Sequence, residues 1–324
     1  MSNGRQVVFM YSGQGSHYYQ MGRDLYQNNA SFRAHFRRLD ALAFARLGVS
    51  MVDILFDEAK LKTDVFSKSA FTNTGIFLIE RSLSLVFEEN GLVPDYVLGA
   101  SMGTFAAACH AGCFDEETAL DVLLTQSGAL EQQAQSGLMI AIMDAPEQFR
   151  DHSFLVERSD IASVNFQSHY VIALPSEHRD EVVRYLQDNG LVYQELAVEY
   201  PYHSRWIECA EDAYRKMMSS FTFRKPTIPL ICCAQIGELP ELTIDALWKI
   251  ARQPIAFKDT VNLLERSGDY DYVDLGPAGT LATFLKYLLP KSSQSKFYPT
   301  VTPYEKAQEN LDLIQAELIS EGVY

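Results

Sequence analysis

Residues 95–112 restrict what this chain can fold into more than any other stretch. A short apolar run at 96–98 reads as the end of a buried strand. The sequence Gly99, Ala100, Ser101, Met102, Gly103 follows, a G-x-S-x-G. An alanine-rich segment then predicts a helix over 102–111, with Gly112 placed to end it. Strand, sharp turn carrying a serine, and helix are the context of a nucleophile elbow. A tight turn leaves no room for side chains beside Ser101, and the start of the helix presents unpaired N–H groups where negative charge would develop. A bare G-x-S-x-G also fits a plain glycine-rich connection. The flanking strand and helix favour the nucleophile.

The rest of the chain alternates strands with helices. A strand at 7–11 runs into a loop ending at Ser16, and helices are expected over 18–25, 29–45, 71–90 and 116–133. From Gly137 the texture changes. Strands at 138–143, 161–165, 169–173 and 191–198 are separated by a helical turn at 145–149 and a helix over 176–189, which is the ferredoxin-like order. After Pro201 the alternation returns, with helices over 204–219, 258–266, 281–289 and 306–320 and strands at 228–234, 272–275 and 297–300. The expected fold is therefore α/β: a large α/β-hydrolase-like domain with a mostly parallel sheet, formed by 1–134 and 201–324, and an inserted ferredoxin-like small subdomain, 135–200.

Composition narrows the partners. Hydrophobic residues make up 47% of the chain, enough for a substantial core, and the formal net charge of -15 disfavours nucleic acid or an anionic membrane. A local basic patch could still dock an acidic protein. Arg33, Arg37 and Arg38 form one candidate, Lys291 and Lys296 another, and each equally suits a solvated surface. No apolar run has membrane-spanning length, and the N-terminus enters a strand without a signal-peptide pattern. The five cysteines, Cys109, Cys113, Cys209, Cys232 and Cys233, are scattered without metal-ligand spacing, as expected of reduced thiols in a cytoplasmic protein.

Five motifs occur in order along nearly the whole chain: V-F-M-Y-S-G-Q-G-S at 8–16, the G-x-S-x-G at 99–103, A-S-V-N at 162–165 followed by V-I-A at 171–173, Y-P-Y-H-S at 200–204, and D-L-G-P at 274–277. Together they resemble the malonyl-CoA:acyl-carrier-protein transacylase family and the acyltransferases of polyketide synthases, most of all the stand-alone acyl hydrolases of trans-acyltransferase synthases. The resemblance implies a Ser–His dyad in which Ser101 attacks and His203 is the base. It implies that the backbone N–H groups of Met102 and Gln14 stabilise the oxyanion, and that a main-chain carbonyl near Gln253 and Pro254 orients the imidazole. It implies acyl carrier protein domains as partners, with acyl-CoA as another donor, and no metal or cofactor, because the substrate carries its own phosphopantetheine. Among the seven histidines, His17 beside the oxyanion loop is the best rival base. His110 reads as a core or edge residue, and His35, His152, His169 and His178 as surface.

The departures from the family are informative. Malonyl-transferring members usually carry His where this chain has Ala100, Glu where it has Thr104, and T-Q-P where it has N-T-G at 73–75. Most telling, the arginine that pairs with malonate's free carboxylate is here Gln126. An amide brings neither charge nor a bidentate fork, so a buried malonyl carboxylate would be left unpaired. The expected cargo thus has a neutral end. Tyr200 and Tyr202, just before His203, would face it, and Met139 and Met143 would line the other side unless they belong to the subdomain core. The expectation is a trans-acting acyl hydrolase cleaving non-malonyl groups from carrier thioesters in a polyketide pathway. The alternative is an acyltransferase moving such a group, or less favourably malonyl, between CoA and a carrier or between carriers. A non-catalytic carrier-binding module would not need both Ser101 and His203. A conventional esterase would want an acidic residue between them.

Overall fold

The computed structural model describes residues 5–319; residues 1–4 and 320–324, including Ser320 of the expected closing helix, lie outside the described residues. Ten strands occur in chain order: β1 (Gln6–Tyr11), β2 (Tyr96–Gly99), β3 (Gly137–Ile142), β4 (Asp160–Phe166), β5 (His169–Pro175), β6 (Tyr193–Glu195), β7 (Leu230–Cys232), β8 (Gly237–Glu238), β9 (Tyr270–Asp274) and β10 (Lys296–Pro299). The main sheet has the order β10-β9-β1-β2-β7-β8. It is parallel except for the β7–β8 pair.

The sequence of β1 explains its central place. Val8, Phe9, Met10 and Tyr11 are all fully buried, as a parallel strand covered on both faces requires. Phe9 and Tyr11 pack into one core with the helices Ala30–Leu47 and Ser69–Glu89. Val8 and Met10 pack into another with Phe257–Glu265 and Thr280–Leu288. Register then places the functional end. Tyr11 pairs with Gly99 and Met10 with Asp274, so the carboxyl ends of three adjacent strands finish level. The segments leaving them converge on one rim, where ligands bind in open α/β sheets.

The second sheet is antiparallel, in the order β4-β5-β3-β6. Its ferredoxin-like arrangement buries Ile140, Tyr170, Ile172, Val182 and Leu186 under the helices Ser153–Arg158 and Arg179–Asp188. The two sheets are stitched together at residue 255. Ile255 donates its N–H to the Ala162 carbonyl, and Val164 donates to the Ile255 carbonyl, both at 2.9 Å.

Most expected elements occur with small changes at their ends. The helix Glu116–Gln133 has the expected bounds. Asp115 caps it by accepting from the Thr118 N–H at 2.9 Å, and two glutamates follow in the first turn. Two expectations need correction. The strand expected over 191–198 is a strand only at Tyr193–Glu195, because the chain then turns inward and Leu196 lines the cleft between the sheets. The helix expected over 204–219 splits into a 3-10 turn, Arg205–Ala210, and an α-helix, Glu211–Met218. The helix expected over 18–25 forms instead at Arg23–Asn28, and the helices Met51–Leu55, Ser153–Arg158 and Ile244–Arg252 and the short β8 were not anticipated. No helix among the described residues is long and apolar enough to cross a membrane.

Candidate active site

Close backbone packing shapes the turn that carries Ser101. A Cβ on Gly103 would lie 2.2 Å from the Tyr11 carbonyl oxygen, and one on Gly99 would lie 2.3 Å from the Thr104 Cα. Only glycine lets the helix Gly103–His110 start this close to β1 and β2. Ser101 itself has φ +53°, a left-handed conformation that costs a residue with a Cβ about 1–3 kcal/mol and persists only where the surroundings enforce it.

His203 meets Ser101 from the other side of the cleft. Ser101 Oγ lies 2.7 Å from His203 Nε2. His203 is also left-handed, φ +60°, and its N–H donates to the Ala251 carbonyl at 3.0 Å. The ring's second nitrogen, Nδ1, lies 2.8 Å from the Gln253 carbonyl oxygen. A carbonyl only accepts, so Nδ1 carries the proton and Nε2 is left to accept from the Ser101 hydroxyl. The segment that supplies this carbonyl runs directly into Ile255, the residue stitched to β4, so the small sheet helps hold the imidazole.

Burial, opposed by the Gln253 hydrogen bond and aided by nearby Arg252, brings the His203 pKa down from 6.5 to about 4. The neutral, base-competent ring is therefore kept well below the usual range. Thioester cleavage should stay level in kcat/KM from about pH 8 to about pH 5 and fall about tenfold per unit below the His203 pKa. A pH–rate profile, with circular dichroism tracking the fold, checks this. A limb at the ordinary histidine value of 6.5 would contradict it. The same depression weakens folding as pH falls through that interval, because the unfolded imidazole takes up its proton first.

The N–H groups of Met102 and Gln14 have no hydrogen-bond partner among the described residues. The loop carrying Gln14 is tied down on both sides of it. The Ser12 N–H donates to Glu80 Oε1 at 2.6 Å, and Ser16 Oγ donates to the Gly13 carbonyl at 2.7 Å. His17, the rival base, is a clamp instead. Its Nδ1 accepts from the Gly15 N–H, and its Nε2 lies 2.8 Å from the Phe66 carbonyl and 3.2 Å from that of Ala197. Both ring nitrogens are committed.

Two spaces meet at Ser101. A cleft of about 290 Å³ between the sheets is lined by Ser101, Gln14, Met139, Asn165, His169 and Phe284. A chamber of about 30 Å³ lies on the other side, lined by Ser101, His203, Gln126, Asn73, Tyr202 and Met139 among others, with no lysine or arginine. Gln126 belongs there because it falls on the buried stripe of its helix with Val122, Leu123 and Leu130.

Some expectations fail. Tyr200 lines neither space and packs edge-on behind Tyr202, with ring centroids 6.1 Å apart. Met143 lies just past the end of β3, is half exposed, and lines neither space. His169 is no surface residue: it stacks on Phe166 and lines the cleft. Arg38 is paired with Glu116, and Arg33 bonds the carbonyls of Tyr26 and Gln27, so that patch is largely committed within the fold.

Two residues were missed. Asn73 was noted only within a departing motif. Glu80 is wholly buried, and burial holds its carboxyl well above the ordinary range, with Asp274 nearby adding to the shift. An acidic residue within a run of buried apolar and small residues was the available signal for Glu80.

Residues 8–320 match the family model described as acyl transferase domain. The chain is 37% identical over 309 residues to the polyketide biosynthesis acyltransferase homolog PksD of Bacillus subtilis (strain 168), with 95% of each chain covered. It is 36% identical over 314 residues to the corresponding homolog BaeD of Bacillus velezensis, with 97% of each covered. Among solved structures it superposes, with a TM-score of 0.84 and 25% identity, on the acyltransferase domain from the second module of the salinomycin polyketide synthase, covering 98% of this chain and 74% of that one.

Proposed function

The chain belongs to the acyl transferase domain family, and from that premise we propose that it is an acyl hydrolase of polyketide biosynthesis that removes neutral acyl groups from acyl carrier proteins. The observation that carries this is Gln126. It stands in the chamber beside the Ser101–His203 pair, where no cation is present to receive a carboxylate.

Ser101 Oγ attacks the thioester carbon as His203 Nε2 takes its proton. The carbonyl oxygen becomes an oxyanion facing the free N–H groups of Met102 and Gln14. Collapse breaks the C–S bond, and the pantetheine sulfur leaves with the proton from His203. The acyl group is now an ester on Ser101. Water entering the cleft gives a proton to Nε2 and attacks the ester. Ser101 Oγ leaves and is reprotonated, releasing a free acid. The net change is thioester plus water to acid plus thiol. The wide cleft suits the phosphopantetheine arm. Ser101 remains partly exposed there, which supports access of water to the ester.

The second reading is transfer of the acyl group to another carrier or to CoA. The acyltransferase names of the two Bacillus relatives favour it. Incubation with acetyl-carrier and malonyl-carrier proteins, with and without a second carrier, separates the readings. Hydrolysis predicts free acetate without an acceptor and little malonate. A long-lived acyl-enzyme that discharges only onto a carrier would instead establish transfer, and a preference for the malonyl carrier would overturn the neutral-cargo assignment.

A further inference from the structure

We infer that the acyl chamber selects a short acyl group bearing a hydroxyl at its far end, recognised by Asn73 and Gln126. This rests on the reading that Ser101 is the nucleophile and the chamber holds its acyl group. Asn73, on the helix Ser69–Glu89, is 2% exposed. Its Nδ2 donates to Ser127 Oγ at 3.1 Å, while Ser127 gives its own proton to the Leu123 carbonyl, also at 3.1 Å. In this arrangement Nδ2 is the partnered end of the amide. Asn73 Oδ1 is left buried without a partner.

Gln126 is partnered in the same manner. Tyr214, fully buried, donates its O–H to Gln126 Oε1 at 3.1 Å. Reversing the amide would strand that phenolic proton, so Nε2 is the end left free. The chamber therefore presents one unmet acceptor and one unmet donor within about 30 Å³. A buried polar atom without a partner is unfavourable, as Asn73 Oδ1 is here, and together with Gln126 Nε2 beside the same chamber it suits a ligand that both donates and accepts. A hydroxyl does both. A carboxylate fails, because its oxygens would face Asn73 Oδ1 with no hydrogen between them. An alkyl end leaves both groups unmet, and the small volume rejects long chains.

The decisive pair is 3-hydroxypropionyl and butyryl, which differ by a terminal hydroxyl for a methyl group. Each is supplied as an N-acetylcysteamine thioester, and the rate of adduct formation on Ser101 is followed by mass spectrometry of the intact protein. The wild-type protein is expected to load the hydroxyacyl group about tenfold faster or more. In Asn73→Leu that ratio is expected to fall close to one. Equal wild-type rates overturn the inference even if the variant does not fold, and so does an unchanged ratio in a folded Asn73→Leu protein. If neither thioester forms an adduct or releases its free acid, the nucleophile assignment fails as well. If both load equally, only the hydroxyl preference fails.

Discussion

Ser101→Ala is expected to lower kcat/KM for carrier-thioester cleavage by about 10⁴-fold or more, and to abolish the acyl adduct seen by mass spectrometry of the intact protein. In the proposed mechanism the hydroxyl oxygen forms the new bond, and His203, 2.7 Å away, has nothing to activate without it. The substitution should not harm folding. Alanine fills less of the cleft, and the left-handed backbone at this position burdens both residues alike. The free N–H groups of Met102 and Gln14 still polarise the thioester carbonyl, which accounts for a small residual rate. An adduct of normal amplitude on the Ser101→Ala protein would place the nucleophile elsewhere.

Gln126→Arg is expected to raise the malonyl loading rate about 10–100-fold, the worth of a charge-assisted hydrogen-bonded pair of about 1.5–3 kcal/mol. The guanidinium would enter a chamber that holds no other cation. Acetyl loading should fall in the same variant. Arginine takes up part of a space of about 30 Å³, and Tyr214 loses the oxygen that accepts its O–H. The two effects add in the malonyl-to-acetyl ratio, which competition between the two carrier thioesters reads directly. An unchanged ratio would mean that residue 126 does not meet the acyl group.

The parts legible in the sequence were those whose signal is local. The turn at Ser101 announced itself because strand, glycines and helix are contiguous, and each glycine answers a backbone contact within the same unit or with β1. Gln126 was singled out by the resemblance, and helical repeat supported it, because the stripe of Val122, Leu123 and Leu130 brings residue 126 inward. His203 was different. Nothing around it distinguished it from His17 except the resemblance of its segment to a family. Only the fold places one ring against Ser101 and ties the other to the carbonyls of Phe66 and Ala197.

The errors have one origin. Tyr200 and Met143 were assigned by nearness in the chain to residues that do line the site, but side-chain direction at those positions depends on where a strand ends and how the chain leaves it. Asn73 and Glu80 were missed for the converse reason. Their importance comes from partners 54 and 68 residues away, Ser127 and Ser12, which no short window contains.

The sequence by itself determined the alternation that builds the parallel sheet, the glycine turn that exposes a hydroxyl, and the helical stripe that turns Gln126 inward. Those follow from covalent order and from periodicity, which need no distant partner. Only the tertiary structure brings the His203 ring against Ser101, ties its second nitrogen to the Gln253 carbonyl, and leaves Asn73 Oδ1 buried without a partner. Each of these depends on hydrogen bonds between segments brought together by sheet register, and a hydrogen bond reaches only about 3 Å, whatever the separation along the chain.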